Sequence, residues 1–349
     1  MVNAHGRQDS QVPRGAARVE PILCLPELLR ECGGSADEVF ASAGVSMSIL
    51  DSADNCVSYV RFGRLLATAA AATHCAHFGL LVGARGSLSR LGPVGLFAAN
   101  ASNVGAALND IVERMPCFDR AATVSLDESE DAATFRCDLF EPNIPGAELI
   151  RETIVAIMAR VLRELCGPSW KPDLVTFSHK ARGSTEPYVK FFRAAVDFNS
   201  ASAGLVFSRR VLRERASLAS QAVRDALKQQ LDRLDAAAND VYSDRVRRQV
   251  HIAMGRGQFS ETAIARSLDV DTSTLRRKLA QEGTSFGTVV QGSKFGVAAQ
   301  LVDDTDLTFA DVAAAIGIYD SSVFTRAFRR WSGLTPSQWR MREKGSTRR

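Results

Sequence analysis

A helix-turn-helix pattern occurs twice between residues 243 and 343, and this duplication constrains the fold more than any other feature. In the first copy, Ser260 is the N-cap of a short helix with small and aliphatic residues on its inner face. Residues 269–271 form the turn, which Val270 fills from the inside, and a second helix follows over 272–281. Each copy thus predicts two short helices that cross closely.

The second copy repeats the pattern with one additional turn residue, because the offset between equivalent positions grows from 48 to 49. Thr308 and Asp311 form a capping box at the start of its first helix. Gly317 makes the turn, Ile318 fills it, and the second helix begins at Ser321. The two copies together predict an all-α double helix-turn-helix domain.

Nine polar side chains face away from the apolar residues on the two second helices, and they are the candidate DNA-binding residues. They are Thr272, Ser273, Arg276, Arg277, Ser321, Ser322, Thr325, Arg326 and Arg329. Hydroxyl side chains at a helix N-terminus can approach phosphates, and arginine can bridge guanine O6 and N7 in the major groove. Two such helices at a fixed spacing can enter successive major grooves, about 34 Å apart, of double-stranded DNA.

The alternative for these nine residues is an ordinary solvated helix surface, and the distribution of charge argues against it. Residues 243–349 contain 17 Lys+Arg and 11 Asp+Glu, whereas residues 1–242 contain 26 and 28. The net charge of +4 therefore divides into a basic C-terminal part, which includes a basic tail at 344–349, and a nearly neutral remainder. Such a division favours a polyanionic partner for the C-terminal part.

The rest of the chain predicts a disordered leader over 1–20 and an α+β domain over 21–215. The leader is rich in Gly, Arg, Gln and Ser. Behind it, amphipathic helical stripes, the longest at 149–165, mix with segments of strand-like composition. The predicted strands are 122–126 and 134–140, paired across a polar turn at 127–131, followed by 174–178, 194–198 and 205–207.

A polar helix at 217–234 and a linker at 236–240 form a predicted connection over 216–242. The apolar stripe of this helix is narrow, which suits a helix–helix seam. It consists of Val223, Leu227, Leu231 and Leu234. The helix could therefore bridge the two domains or pair two chains, and packing on its own domain is an equal alternative.

The C-terminal pattern resembles the AraC/XylS family of bacterial transcription regulators. The resemblance is most specific in GIYDSSVFTRAFRRWSGLTP, residues 317–336, and in Trp339-Arg340 after it. Ile318 stands where the family usually has an aromatic residue, and Lys294 stands where arginine is common. Ser273 occupies a position where a larger or basic residue is frequent, which implies a different operator preference.

Residues 77–83, 91–95 and 170–179 resemble the effector domain of one AraC subgroup that carries the label "arabinose-binding-like". The resemblance implies effector binding, dimerisation or both, and it identifies no ligand. Trp170 and His179 are candidates for a pocket wall, with packing at a strand end as the alternative.

The predicted function is therefore a sequence-specific DNA-binding transcription regulator, an activator whose N-terminal domain responds to a small-molecule effector. The expected partners are double-stranded DNA, an unknown effector, RNA polymerase and a second copy of the chain, and no cofactor or metal is expected. No apolar run is long enough to span a bilayer and no signal peptide is present, so the predicted location is cytoplasmic.

Two alternatives remain open. One is an enzyme-like N-terminal domain fused to a DNA-binding module, for which Cys117 is the nearest nucleophile, although its neighbours provide no base. The other is a dimeric regulator that needs no ligand. All seven cysteines lie between residues 24 and 166 without a C-x-x-C pair, which favours reduced thiols.

Overall fold

The computed structural model describes residues 12–141, 143–216, 220–237, 241–255 and 259–346. It shows an N-terminal α+β domain followed by an all-helical C-terminal domain, and this confirms the predicted fold class. Within the described residues, no helix has the length and apolar character needed to cross a membrane.

The N-terminal domain packs helices around a twisted sheet. Its helices are α1 (Leu25–Glu31), α2 (Ala36–Ala43), α3 (Tyr59–Ala72), α4 (Phe78–Gly83), α5 (Gly92–Ala99), α6 (Val104–Arg114), α7 (Ala147–Cys166) and α8 (Glu186–Phe192). Its strands are β1 (Ala16–Arg18), β2 (Cys56–Ser58), β3 (Ala122–Glu128), β4 (Ala132–Leu139), β5 (Leu174–Thr176), β6 (Ala195–Asp197) and β7 (Ala203–Ser208). The main sheet has the order β3-β4-β7-β5-β6.

The predicted hairpin is confirmed, with longer strands than expected. Strands β3 and β4 pair antiparallel, with Ala122 opposite Leu139 and Glu128 opposite Ala133. The other three predicted strands also join this sheet, and β5 and β6 run parallel because α8 crosses between them. That crossover helix, like α4 and α5, was not predicted.

The leader prediction is wrong for residues 12–20. Strand β1 pairs antiparallel with β2, and Val12 and Val19 are almost completely buried. The Arg120 guanidinium also donates a hydrogen bond of 3.1 Å to the Val12 carbonyl. The average composition of this segment is polar, but its few apolar residues are enough to anchor it on the domain. Residues 1–11 of the predicted leader lie outside the described residues.

Helix α7 is the central element of the N-terminal domain, because its two ends belong to the two hydrophobic cores. It forms where the 149–165 stripe predicted a helix. Helix α4 approaches it so closely that a Cβ on Gly79 would lie 2.2 Å from the Leu149 carbonyl oxygen. The glycines of the resembling segment 77–83 therefore permit close contact between two helices.

Helix α9 (Gln221–Ala237) packs on its own domain, which was the simpler of the two alternatives. Its Leu231 is completely buried against Val94 and Phe97. The Arg224 guanidinium lies over the Phe97 ring at 3.9 Å and pairs with Asp110. Of the predicted linker, residues 238–240 lie outside the described residues.

The C-terminal domain contains two consecutive helix-turn-helix units joined by a long helix. Its helices are α10 (Tyr242–Gly255), α11 (Glu261–Ser267), α12 (Thr272–Gln281), α13 (Phe286–Asp304), α14 (Phe309–Ala315), α15 (Ser321–Ser332) and α16 (Pro336–Ser346). Helices α11 and α12 form the first unit, α14 and α15 form the second, and α13 joins them. Residues 347–349 of the basic tail lie outside the described residues.

The two units have separate cores built from equivalent positions. Ala265 and Ala313 are buried where the helices of each unit cross, as small residues at these sites predicted. The additional residue of the second turn is Tyr319, whose side chain is 85% exposed. The two units therefore have equivalent but separate cores, and they differ in what their turns present to solvent.

The two domains contact each other through α7, β4 and the helices α10 and α13. Arg151 of α7 is 2% exposed, and its guanidinium pairs with Asp304 at 2.7 Å and donates a hydrogen bond of 3.0 Å to the Gln300 side chain. Arg136 of β4 donates a hydrogen bond of 3.2 Å to the Ile252 carbonyl. Polar contacts thus connect α7 to α13, the helix that joins the two units, and the sheet to α10.

Candidate nucleic-acid interface and internal cavity

The first candidate helix, α12, begins at an aspartate cap. The carboxylate of Asp271 accepts hydrogen bonds from the Thr274 backbone N–H at 2.7 Å and from the Ser273 hydroxyl at 2.6 Å. The Ser273 hydroxyl and the Thr274 groups stabilise the carboxylate and lower the pKa of Asp271 to about 2. This cap satisfies one of the unpaired N–H groups of the first turn.

Helix α15 begins in the same way. The Asp320 carboxylate accepts hydrogen bonds from the Ser322 and Val323 backbone N–H groups at 2.8 and 2.9 Å, and from the Ser322 hydroxyl at 2.6 Å. The Ser322 hydroxyl, followed by these backbone groups, lowers the pKa of Asp320. The two helices therefore share an Asp-x-Ser cap in addition to their duplicated cores.

The caps change the chemistry expected of the serines. Ser273 and Ser322 each direct their hydroxyl proton to an aspartate, so their remaining lone pairs can only accept. Thr325 also directs its proton inward, to the Ser321 carbonyl at 2.9 Å. In this arrangement the three hydroxyls can accept hydrogen bonds from base amino groups, whereas phosphate oxygens require donors.

The arginines differ in how they are held. Arg276 makes two hydrogen bonds to the Glu261 carboxylate of α11, at 2.8 and 2.7 Å, and this contact lowers the pKa of Glu261. Among the described residues, Arg277, Arg326 and Arg329 make no ion pair, and all three are exposed. Arg277 and Arg326 occupy equivalent positions in the two units.

The nine candidates fall into two groups, four on α12 and five on α15. Thr272 and Thr325 are half-buried, and the other seven are exposed. Within the described residues, no hydrogen bond or ion pair joins α12 to α15. The structure thus presents two separate polar surfaces, each on the second helix of its unit.

Four residues of this surface were not among the sequence predictions. Asp271 and Asp320 cap the helices, and the recurrence of aspartate two positions before a serine was the available signal. Tyr319 and Val323 are exposed hydrophobic side chains beside the second cap, at 85% and 43%. Exposed apolar groups at this point can contact a thymine methyl group or a sugar.

Helix α16 fixes the second unit. The indole N–H of Trp339 donates to Asp303 at 3.0 Å, and Arg340 donates to the carbonyls of Val302 and Leu307. Thr335 and Gln338 form a capping box at its start. The last residues that carry the sequence resemblance therefore have a structural role.

The N-terminal domain encloses a cavity of about 70 Å³ between the chain around β1, helices α3, α6 and α7, and one face of the sheet. Its wall is almost entirely apolar, apart from a buried hydrogen bond that Tyr59 donates to Asp119. Burial raises the pKa of Asp119 to about 6 and raises that of Tyr59 further above its usual range.

The predicted pocket residues Trp170 and His179 do not line this cavity. Trp170 packs edge-on against Phe207, and His179 is buried beside Glu152 at 3.9 Å, so both pack at strand ends. Cys117 lies in the small apolar cluster that contains Leu231. None of the three lines the cavity.

Two family models match the chain. Residues 33–216 match the arabinose-binding N-terminal domain of AraC transcription regulators, and residues 264–342 match a helix-turn-helix domain. The chain belongs to the AraC family of transcription regulators. This AraC-family protein therefore has the family's effector-type domain in front and its DNA-binding domain behind, as the sequence resemblance implied.

Two relatives of this AraC-family chain are similar to it along nearly their full length. It is 27% identical over 316 residues to the HTH-type transcriptional regulator VirS of Mycobacterium tuberculosis, covering 90% of this chain and 93% of VirS. It is also 27% identical over 318 residues to the ornithine utilization regulator of Pseudomonas aeruginosa, covering 90% and 94%. These relatives agree with a DNA-binding transcription regulator.

Among solved structures, the crystal structure of the transcriptional regulator CdpR from Pseudomonas aeruginosa is 26% identical. The match covers 75% of this chain and 86% of CdpR, with a TM-score of 0.40.

Proposed function

We propose that this regulator reads operator DNA with α12 and α15 and activates transcription in response to an effector held by the N-terminal domain. The observation that carries this proposal is the pair of matched caps. Each cap fixes the start of the second helix of its unit. Each of these helices also carries an exposed arginine without an ion pair, Arg277 or Arg326, at the equivalent position. Arginine in that position can bridge the acceptor atoms of guanine.

The other candidates divide by the groups they offer. Arg329 of α15 is a further proposed donor to bases or phosphates. The Glu261 carboxylate orients the Arg276 guanidinium and compensates part of its positive charge. We propose that Arg276 contacts DNA in this fixed orientation. Ser273, Ser322 and Thr325 are proposed acceptors, while Thr272 and Ser321 contribute hydroxyls at the first helical position.

Helix α7 supports effector control, because it contacts both the cavity and the DNA-binding domain. Thr153, Ile157 and Val161 line the cavity, while Arg151 holds Asp304 at the end of α13. An effector that shifts α7 would change this ion pair and thereby the presentation of both units. The proposed functional units are residues 21–215 and 243–343, joined by 216–242.

Activation implies contact with RNA polymerase, and a second copy of the chain is a further proposed partner. The proposed place of action is the cytoplasm, where bacterial DNA lies. Regulation without catalysis is supported by the relatives, which are transcription regulators, and by the apolar neighbours of Cys117. Transcription from a target promoter in vitro, with and without the protein, tests the direction of regulation.

Operator binding tests the DNA-contact residues. Genomic footprinting supplies a bound site, and fluorescence anisotropy then compares Arg276→Ala and Arg326→Ala with the wild type. Each is expected to cost about 1–3 kcal/mol of site-specific binding. Arg330→Ala is the matched control, because Arg330 is exposed on α15 but lies outside the proposed set. Unchanged operator affinity in both variants would overturn the assignment.

A further inference from the structure

We propose that the internal cavity of the N-terminal domain binds a small aliphatic molecule with a single hydrogen-bond donor group, and that Asp119 accepts this hydrogen bond. This inference rests on the proposed function in one respect, since it assigns the effector to the N-terminal domain. Its chemical content comes from the cavity wall alone.

The wall is mostly apolar. Helix α7 contributes aliphatic and Met side chains, the sheet contributes Val124 and Phe135, and the chain around β1 contributes Pro21 and Ile22. These residues come from segments far apart in the sequence, so the cavity is enclosed by the domain core. Such a wall favours hydrocarbon, because transfer of apolar surface out of water is favourable.

With one exception, the polar side chains of the wall are hydroxyls that already donate their protons, or a guanidinium that is already paired, so they offer a ligand at most a weak acceptor. The hydroxyl of Thr123 donates to the Val124 carbonyl, and that of Thr153 donates to the Gly79 and Leu149 carbonyls. The Arg18 guanidinium is held by Asp54 at 2.8 Å and by the Cys117 carbonyl at 3.4 Å. The two hydroxyls therefore have no proton left to donate, and the guanidinium is paired.

The exception is the carboxylate of Asp119. Its Oδ1 accepts from the backbone N–H groups of Ala121 and Ala122 at 2.8 and 3.1 Å, and its Oδ2 accepts from the Tyr59 hydroxyl. An ionised carboxylate has about four acceptor positions, so it can accept one more hydrogen bond. A ligand that supplies a hydroxyl or ammonium donor would complete this set.

The same geometry argues against other effectors. A sugar carries several hydroxyl groups, and most of them would be buried against hydrocarbon without partners, which costs free energy. A carboxylate ligand would place a second negative charge beside Asp119. The volume of about 70 Å³ is about half that of a cavity of ~150 Å³ that binds benzene, so the ligand is small.

Calorimetric titration of the full chain with four probes tests the inference. Ethanol and ethylamine share a two-carbon chain that suits this volume and carry a donor, acetate carries an anion, and L-arabinose is a sugar. We expect ethanol or ethylamine to bind at least about tenfold more tightly than acetate and arabinose. Equal or tighter binding of acetate or arabinose, or no binding of any probe, would overturn the proposal.

Two variants locate the site. Asp119→Asn should weaken binding of the preferred probe about tenfold or more, because a charged acceptor is lost. Asp232→Asn, the same substitution on an α9 residue that does not line the cavity, should leave it unchanged. If Asp119→Asn fails to fold, Val124→Phe, which fills the cavity, should abolish binding while operator affinity confirms folding. Unchanged binding in the folded variant contradicts the assignment.

Operator affinity of the wild type, measured without probes, separates the two proposals. Retained operator binding without probe binding would contradict only the ligand assignment. Probe binding without operator binding would contradict only the proposed DNA contacts.

Discussion

Arg151 of α7 and Asp304 of α13 form an ion pair of 2.7 Å between guanidinium Nη1 and carboxylate Oδ2, across the boundary between the two domains. The arginine is 2% exposed and the aspartate 25% exposed. The pair thus fastens the helix that lines the cavity to the helix that joins the two DNA-binding units, at a point where water has little access.

Asp304→Asn is expected to lower the free energy of unfolding by about 1–3 kcal/mol, because it leaves a buried guanidinium without its counter-charge. Urea unfolding measures the change. The matched control is Asp306→Asn, which removes a neighbouring ion pair with Lys180 that is largely exposed, and it should cost less than about 1 kcal/mol. Equal effects of the two substitutions would contradict a special role for the buried pair.

Stability should fall as the pH rises toward 8, and Glu152 is the reason. Burial raises its pKa to about 8, so the folded chain holds a neutral carboxyl that ionises at about 4.5 when unfolded. Such a raised pKa stabilises the fold below pH 4.5, and this contribution is lost as the pH rises through 8. Glu152→Gln, which retains an acceptor for the Tyr188 hydroxyl, should flatten this decline.

Between pH 6.5 and 8.5 the comparison with Glu152→Gln isolates this carboxyl, because groups that titrate in the unfolded chain, such as histidine at about 6.5 and cysteine at about 8.5, contribute equally in both proteins. Burial lowers the pKa of His179 and of His251 to about 3, so both stay neutral there in the folded chain. Asp119, with a pKa of about 6, is mostly ionised. Thermal unfolding at several pH values compares the slopes, and identical slopes in wild type and Glu152→Gln would rule out this origin.

The second turn should depend on its glycine. Gly317 has φ of +69°, and a Cβ there would meet only the Lys294 ammonium at 3.9 Å, so the cost of Gly317→Ala comes from the backbone. We expect a loss of about 1–2 kcal/mol. Tryptophan fluorescence during urea unfolding measures it, since Trp331 and Trp339 lie in this unit.

Gly287→Ala is the control, and it is expected to change the free energy of unfolding in the opposite direction. Gly287 lies in α13 with an ordinary helical backbone, and a Cβ there would meet only the Ser285 hydroxyl oxygen at 3.8 Å, so alanine should stabilise by about 0.5–1 kcal/mol. The first unit places Asp269 at φ of +54° where the second has Gly317, which shows that a short polar residue can adopt this turn. A stability gain from Gly317→Ala would contradict the argument.

The helices with strong local signals could be predicted from the sequence. The stripe of α7 and the duplicated pattern of α11–α12 and α14–α15 each depend on residues three and four positions apart, which a helix brings onto one face. The hairpin β3–β4 could also be predicted, because its two strands are neighbours in sequence.

Features that depend on distant segments could not be predicted. Strand β1 is three residues long and exists because β2, about forty residues later, pairs with it. Asp119 and Tyr59 meet across 60 positions, and nothing local to either indicates a cavity. The same holds for Arg151 and Asp304, whose ion pair depends on how two complete domains pack.

The additional residue Tyr319 makes the two helix-turn-helix units unequal. In the first unit, Asp269 and Val270 form the turn before α12, whereas the turn before α15 in the second unit carries an additional exposed aromatic ring. Two identical units related by a two-fold axis could bind DNA in either direction, whereas these two units differ in their turns and follow one another along a single chain. If α12 and α15 bind DNA as proposed, one bound chain would have a defined direction along its promoter.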